Sequence, residues 1–390
     1  MSDNKLWEGN IQFKTNSHLY QYQKWLEQTY NLKFETYQSL WKWSVDHIEL
    51  FWESIWKYFK VISHSPYKNV LENNGMPNCN WFDGATLNYA EHIFRHYNAN
   101  KTAIYFGNES GDYLEISWQD LKHKVAALAN YLKSLGVAKG DRVVAFLPNV
   151  PEATISFLAV NSLGAIWSST SPDFGTESVV DRFAQIEPKV LIAVDGYHYN
   201  GKPYDKTKTV NDIVEALPSL EKVIIHPYLN AKALSNFSDN FVNINTVFES
   251  SHNELTFEAV DFNHPIWVLY SSGTTGLPKA IVHSHGGILL EHLKYMAFHN
   301  DVHQDERYFW FSTTGWMMWN FVQSALLMGA SIVLYDGSPT YPNFDSLWAF
   351  SDKAGINHFG TSAPYLVASM KKNIAPKSNF SLKSVRSISS

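Results

Sequence analysis

From Thr102 onward, short runs of β-prone apolar residues alternate with stretches of helical period, and that alternation limits the fold more than any other feature. TAIYF (102–106) and YLEIS (113–117) read as strands joined through the turn-forming NESGD. SWQD (117–120) has the form of a capping box, with Ser117 capping a helix that runs to Leu135 and stops at Gly136. RVVAFLP (142–148) is a strand of the fully buried kind, and PEATISFLAVNSLG (151–164) is a helix opened by proline. KVLIAV (189–194) and KVIIH (222–226) are further short apolar strands. Repeated strand–helix units bring successive strands into the sheet in parallel, with helices covering both faces. The expected class is therefore α/β, built of parallel-sheet αβα subdomains.

Ahead of this region the pattern is helical, over 19–30 and 36–60. The second stretch places Tyr37, Leu40, Trp41, Ile48, Phe51, Trp52, Ile55, Trp56 and Phe59 at three- and four-residue steps. That stripe is expected to pack on the main body rather than to receive a partner. The loop LENNGMPNCN (71–80) and the segment NWFDGATLNYAEHIF (80–94) follow, without evident chemistry of their own. At 390 residues the chain can hold more than one subdomain. A net charge of −6 leaves no basic footprint for nucleic acid. The one cysteine, Cys79, excludes an internal disulfide and fits a reducing, cytoplasmic compartment. MSDNKLWEGN at the start lacks the apolar centre of a signal peptide. The most apolar run, Phe321 to Tyr335, is interrupted by Gln323, Ser324, Gly329 and Ser331 and is shorter than the ~20 residues that span a bilayer. No membrane partner is expected.

Chemistry concentrates in YSSGTTGLPKAIVH, Tyr270 to His283. Ile266, Trp267, Val268 and Leu269 lead in, and Ala280, Ile281 and Val282 lead out, which suggests two strands joined by a loop. Gly273 and Gly276 let the backbone turn its amides inward as an anion nest. Ser271, Ser272, Thr274 and Thr275 add hydroxyl donors, and Lys279, placed by the stiff Pro278, adds a positive charge. The set favours a polyphosphate. It is not a Walker loop, which needs GxxxxGK[ST] ahead of a helix, and it contains no GxGxxG. SSGTTG taken alone reads equally well as a hairpin tip without a ligand.

YSSGTTGLPKAIVH resembles the phosphate-loop signature of the acyl-adenylate-forming (AMP-binding) superfamily, the acyl-CoA synthetases and their relatives. Other segments resemble its short-chain branch, and most of all the acetoacetate-activating members. The resemblance implies a helical N-terminal extension over 1–97 and an incomplete adenylation domain over 98–390. It implies a ligase that joins acetoacetate to CoA through an acyl-adenylate, with ATP, Mg²⁺ and CoA as substrates or ligands. A ligase for acetate or propionate, or a nucleotide-binding remnant without turnover, are the alternatives. By the same resemblance, Ser271, Ser272, Gly273, Thr274, Thr275, Gly276 and Lys279 hold the ATP phosphates, Lys279 is catalytic, and Thr274 or Thr275 reaches Mg²⁺.

Further segments extend the likeness. LGAIWSSTSPDFG (163–175) resembles a loop of the acetoacetate branch, and is either a ligand loop or a turn into the helix 177–186. DGYHYNGKPYDK (195–206) has the look of a plain surface turn. In the acetate branch it carries arginines for the CoA phosphates. Lys202 falls on one of these positions and Tyr199 replaces another, so Lys202 is either a CoA contact or a solvated lysine. In HSHGGILLEHLKYM (283–296), His285 aligns with a histidine beside the acyl and phosphoryl groups, plain packing being the other reading. His283 is expected to be structural. His283 and His285 have no further ligand at zinc spacing. RYFWFSTTGWMMWN (307–320) keeps a Gly-Trp pair at Gly315 and Trp316. Trp316, Met317 and Met318 would then wall the acyl pocket, the other reading of the methionines being core filler. Gly337 and Pro339 match a structural turn of the family, and HFGTSAPYLVASMKK (358–372) reads as strand, loop and helix.

The family pattern continues past SLKSVRSISS (381–390). The tyrosine–glycine–x–threonine–glutamate segment, the aspartate for the ribose, the hinge and the mobile C-terminal domain with its lysine are absent from these 390 residues. The chain is thus expected to be a truncated form, ending before the C-terminal domain and inactive alone, because phosphoryl-centred chemistry needs several groups positioned at once.

Overall fold

Local signals set most of the elements. The Ser117 hydroxyl accepts from the Asp120 N–H at 3.0 Å and donates to the Asp120 carboxylate at 2.7 Å, opening the helix Trp118–Ser134. Gly136 terminates it at φ +76°, a conformation favoured by the lack of a Cβ. The computed structural model describes residues 8–73, 75–76, 79–231, 241–251, 254–271 and 276–390.

After the N-terminal helices come three short strands, β1 (Asn69–Glu72), β2 (Asn80–Asp83) and β3 (Thr86–Leu87). Next are β4 (Thr102–Asn108), β5 (Tyr113–Ser117), β6 (Arg142–Phe146), β7 (Ile166–Thr170) and β8 (Val190–Val194). A hairpin, β9 (Gly196–Tyr199) and β10 (Lys202–Asp205), precedes β11 (Lys222–His226), β12 (Phe241–Asn243) and β13 (Val260–Asp261). The remaining strands are β14 (Pro265–Ser271), β15 (Lys279–Ser284), β16 (Arg307–Trp310), β17 (Ser331–Asp336), β18 (His358–Gly360) and β19 (Ser387–Ser389).

Two sheets carry the architecture. The first has the order β12-β11-β8-β6-β7-β14-β15, parallel throughout except for the antiparallel pair β14–β15. The second has the order β19-β18-β16-β17-β4-β5, parallel except for β4–β5. The α/β class with parallel sheets is as the sequence predicts. The helix Pro151–Ser162 buries every residue but Glu152, as a helix apolar on all sides must. Its Phe157 ring lies 6.2 Å from Trp167 on β7, 5.8 Å from Trp267 on β14 and 6.0 Å from Trp319. These contacts join the first sheet to the helix Met317–Gln323, which follows β16 of the second.

Two expectations need correction. The helix expected over 36–60 is two helices, Tyr37–Asp46 and Ile48–Tyr58, broken where His47 leaves the helical region at φ −123°, ψ 52°. Each piece turns its own face inward. Leu40, Trp43, Ile55 and Trp56 are buried, while Tyr37 and Trp41 of the supposed single stripe are exposed, Trp41 by 57%. Trp56 stacks on Phe82 at 4.7 Å and lies 6.4 Å from Phe262, and the second contact docks these helices on the main body. The second correction concerns 163–175, whose middle is the central strand β7. From its sequence the segment reads as a ligand loop or a turn into the next helix. In the fold Ser168 donates to Val268 O at 2.8 Å and Ser169 to Thr314 O at 2.7 Å, so small hydroxyls are compatible with a buried strand. No helix among the described residues is long and apolar enough to cross a membrane.

Candidate active site

The signature segment folds as the expected hairpin. Strands β14 and β15 pair antiparallel up to Ser271 opposite Lys279. Lys279 is thus the first residue of β15 and is exposed, while Ser271 is half-buried. Gly276 has φ +117°, which an L side chain rarely adopts, although space around it is open. Ser272, Gly273, Thr274 and Thr275 lie outside the described residues. The base of the loop is held from the helix Thr176–Phe183 and the turn after it. Gln185 donates to Pro278 O at 3.0 Å, and the Tyr270 hydroxyl donates to Arg182 O at 2.7 Å. The Arg182 guanidinium lies 4.9 Å from the Phe174 ring and 6.0 Å from the Tyr270 ring. A fixed cation beside a phosphate-type hairpin is chemically apt, and Arg182 went unmarked in the sequence reading because it stands in no motif.

Phe174 connects this hairpin to the Gly-Trp loop. A Cβ on Gly315 would come within 3.4 Å of the Phe174 ring and 3.5 Å of Ser171 N, so the two loops lie against each other. Thr314 donates to Leu147 O at 2.6 Å, Trp319 Nε1 to Asn149 Oδ1 at 3.1 Å, and Asn149 Nδ2 to Tyr335 O at 3.3 Å. These bonds fasten the carboxyl end of β6 to loops of the second sheet. Between them opens a cavity of about 270 Å³ at the carboxyl ends of β6, β7, β16 and β17, lined in part by Asn149, Asp173, Tyr197, Tyr199, Ser312 and Asp336. Carboxyl ends of parallel strands are where open α/β sheets receive ligands. Burial and then the nearby Glu109 charge push the Asp336 carboxyl up, outweighing the Tyr228 hydroxyl and Gly337 N–H, to about 7. A buried acid so perturbed in a cleft marks a candidate functional position.

The structure brings the other sequence-derived residues together unevenly. Trp316, Met317 and Met318 come three to five positions after cavity residue Thr313 but are not part of its lining. Trp316 is 60% exposed, Met317 36%, and Met318 half-buried, so they form a rim rather than a closed wall. Lys202 is exposed and pairs in register with the cavity residue Tyr199 across the two-residue turn Asn200–Gly201. The segment expected as a plain turn is therefore a true hairpin, with Asn-Gly at φ +54° and +76°, angles suited to a tight primed turn.

His285 stands elsewhere. It is fully buried, its Nδ1 accepts from Tyr89 N at 3.4 Å, its ring lies 5.8 Å from that of His264, and its Nε2 has no partner. Burial pushes it down to about 3, so the ring is neutral. No face of it is open to a substrate, and its place in this fold is in the core. The cause is local: Ser284 caps the helix His285–Phe298, which turns the His285 side chain into the interior. His283 Nδ1 accepts from Trp267 Nε1 at 2.9 Å, a structural contact. Among the described residues one group, His18, Asp301 and His303, has metal-type ligand atoms within 4.8 Å of one another. Arg386 Nη2, 3.0 Å from Asp301 Oδ2, already neutralises that carboxylate, making the group an ion-pair joint for the N-terminal helix His18–Tyr30.

Two mainly parallel sheets whose carboxyl ends share a cleft define an α/β class that receives its ligands at the strand ends. The family model described as "AMP-binding enzyme" matches residues 91–390, and "Acetyl-coenzyme A synthetase N-terminus" matches 37–93. The chain belongs to the AMP-binding enzyme family. It is similar to acetoacetyl-CoA synthetases: 37% identical to that of Gallus gallus over 100% of this chain and 59% of the relative, and 37% to that of Rhizobium meliloti (strain 1021) over 100% and 60%. Among solved structures, the acetoacetyl-CoA synthetase from Streptomyces lividans superposes with a TM-score of 0.94 at 42% identity, covering 98% of this chain and 59% of that one. The chain spans about three fifths of the length of these relatives.

Proposed function

We propose that this chain carries the adenylate-forming site of an acetoacetate–CoA ligase. The observation that supports it best is the meeting of the β14–β15 hairpin, the 171–175 loop and the Gly-Trp loop around one cleft, in a chain similar to acetoacetyl-CoA synthetases. In the first step the acetoacetate carboxylate attacks the α-phosphate of Mg-ATP, giving acyl-AMP and pyrophosphate. The amides and hydroxyls of 271–276 and the Lys279 ammonium hold the β- and γ-phosphates and stabilise the departing pyrophosphate, charge placed in advance where charge develops. Thr274 or Thr275 reaches the magnesium of the substrate. Trp316, Met317 and Met318 meet the acyl chain from the rim. In the second step the CoA thiol attacks the acyl-AMP carbonyl and AMP leaves. The 270 Å³ cavity receives the CoA arm, and Lys202 at its mouth meets a CoA phosphate as a point charge. His285 takes no direct part.

The purified chain of residues 1–390 is expected to bind Mg-ATP without turnover, because the groups assigned above supply a phosphate grip and an acyl rim, and adenylate chemistry needs more groups positioned at once. The test pairs calorimetric titration of residues 1–390 with ATP–pyrophosphate exchange. Binding of Mg-ATP that Lys279→Ala weakens, with no acetoacetate-dependent exchange, is the expected result. Absence of any Mg-ATP binding would sink the site, and robust exchange would sink the claim that these residues are insufficient. Thermal shifts with acetoacetate, acetate and propionate separate the acids, and a preference for acetate would favour the acetate-type reading.

A further inference from the structure

We propose that Glu109 is a positioning residue for the ligand of the 270 Å³ cavity, holding the β9–β10 hairpin so that Tyr199 and Lys202 stand at its mouth. The inference rests on the reading of that cavity as the one that receives CoA. Glu109 belongs to the turn between β4 and β5 of the second sheet, whereas the hairpin grows from the end of β8 in the first. Its two carboxylate oxygens accept three backbone N–H groups. Oε2 accepts from Asn200 N at 2.8 Å and from Ser338 N at 2.7 Å, and Oε1 from Gly201 N at 2.8 Å. Two of the three donors are the central residues of the hairpin's turn, and the third follows Gly337 in the cavity lining. One side chain thus fixes both the tip of the hairpin and the opposite wall of the cavity.

The surroundings are shaped to this contact. A Cβ on Gly337, at φ +122°, would lie 2.6 Å from the Glu109 Cγ, so the wall can approach the carboxylate only through a glycine. A Cβ on Gly201 would lie 2.6 Å from the Tyr341 ring. The base of the same hairpin is held separately by Asp195, which is buried and accepts from the N–H groups of Tyr228, Leu229 and Asn230 at 2.7, 2.9 and 2.7 Å. With its base fixed in the first sheet and its tip fixed to the second, the hairpin can tilt only if Glu109 lets go. Tyr199 and Lys202 flank that tip, one on each strand, so their height over the cavity is set by the clasp.

The experiment uses Glu109→Gln in the full 390-residue chain, since glutamine keeps the shape but leaves one acceptor oxygen for three donors. Hydrogen exchange is read first, without ligand. The Asn200 and Gly201 amides are expected to exchange about tenfold faster or more, the loss that follows from removing a charge-assisted bond. Unchanged exchange there overturns the clasp whatever CoA does. Titration with CoA and with Mg-ATP is read next, alone and combined with Lys202→Ala. Expected are an about tenfold weaker CoA affinity, Mg-ATP affinity within about twofold, and a Lys202→Ala effect that is clear in the parent and nearly absent beside Glu109→Gln. Equal losses for both ligands, or a Lys202→Ala effect of the same size in both backgrounds, reduce Glu109 to a general stabiliser and overturn the proposal. A parent chain that does not bind CoA while the exchange effect stands overturns the CoA reading of the cavity rather than the clasp. If Glu109→Gln fails to fold, Gly201→Ala moves the same tip by collision with Tyr341 and is expected to weaken CoA selectively; unaltered CoA binding by that variant counts against the proposal.

Discussion

Two hairpins stand near the cleft, β9–β10 in its lining and β14–β15 behind Arg182 and Phe174, and they are held in opposite ways. In β9–β10 the turn is two residues long, its N–H groups are accepted by Glu109, and its base is anchored by Asp195. In β14–β15 the inner strand is fastened through Ser168 and Tyr270, while the outer strand β15 is an exposed edge that begins with an exposed Lys279. The first hairpin is fixed by the protein's own carboxylates. The second carries, among its described residues, a half-buried Ser271 opposite an exposed Lys279, and in the proposed function its complement is an external anion. A hairpin whose turn amides are already accepted by the protein serves as a wall; under the proposed function, the other serves as a grip.

The largest expected effect breaks the fixed hairpin at its base. Asp195→Ala leaves three backbone N–H groups without their acceptor and should cost about 3 kcal/mol in chemical denaturation, the scale of a buried charged hydrogen-bond centre. A loss below about 0.5 kcal/mol, the level of ordinary surface changes, would show that loop 228–230 re-forms without it. Lys279→Ala should have the opposite profile. Mg-ATP binding falls about 10- to 100-fold, as expected for one charge-assisted contact, while stability stays within about 0.5 kcal/mol because Lys279 is exposed. If Lys279→Ala destabilises the fold as much as it weakens binding, the two hairpins do not differ as described.

Acid and base titration sharpen the contrast at the cavity wall. Asp336 is raised from 3.8 to about 7, chiefly by burial, so the folded chain keeps a proton that the unfolded chain releases. Its contribution therefore falls as pH rises from about 4 to about 7, and Asp336→Asn should flatten stability over that window. Glu306 behaves in the reverse sense. Burial raises it, but His358, the His303 N–H and Arg386 together outweigh burial and bring it from 4.5 down to about 2. The stability it contributes is present above pH 4.5 and is lost as pH falls towards 2, a slope that Glu306→Gln should remove. Melting curves at intervals of pH test both, and parallel curves for parent and variant would refute either assignment. The smallest effect is on the exposed edge. Val282→Thr on β15, at a site 56% exposed, should alter stability by less than about 0.5 kcal/mol.

How much of this could be read in advance depended on whether a residue's partners were near in sequence. The Ser117 cap, the Gly136 stop, the proline-opened helix and the two strands about the signature depend on neighbours a few positions away, and they fold as read. Strand β7 was hidden because the acceptors of Ser168 and Ser169 are Val268 and Thr314, more than ninety positions on. The break at His47 escaped because a continuous apolar stripe does not reveal which half has a surface to pack on. His285 could be read either as a neighbour of the reacting groups or as plain packing, and the Ser284 cap with the approach of Tyr89 and His264 encloses it in the core.

The sequence by itself determined the class of the fold and the pair of strands that carries the signature, because strand period, helix caps and the backbone freedom of glycine are properties of short stretches. Only the tertiary structure decided which loops share the cleft, that Arg182 stands beside the hairpin, and that one carboxylate in the β4–β5 turn spans two sheets. Those are meetings of residues far apart along the chain. Burial and packing choose them, and no local pattern encodes them.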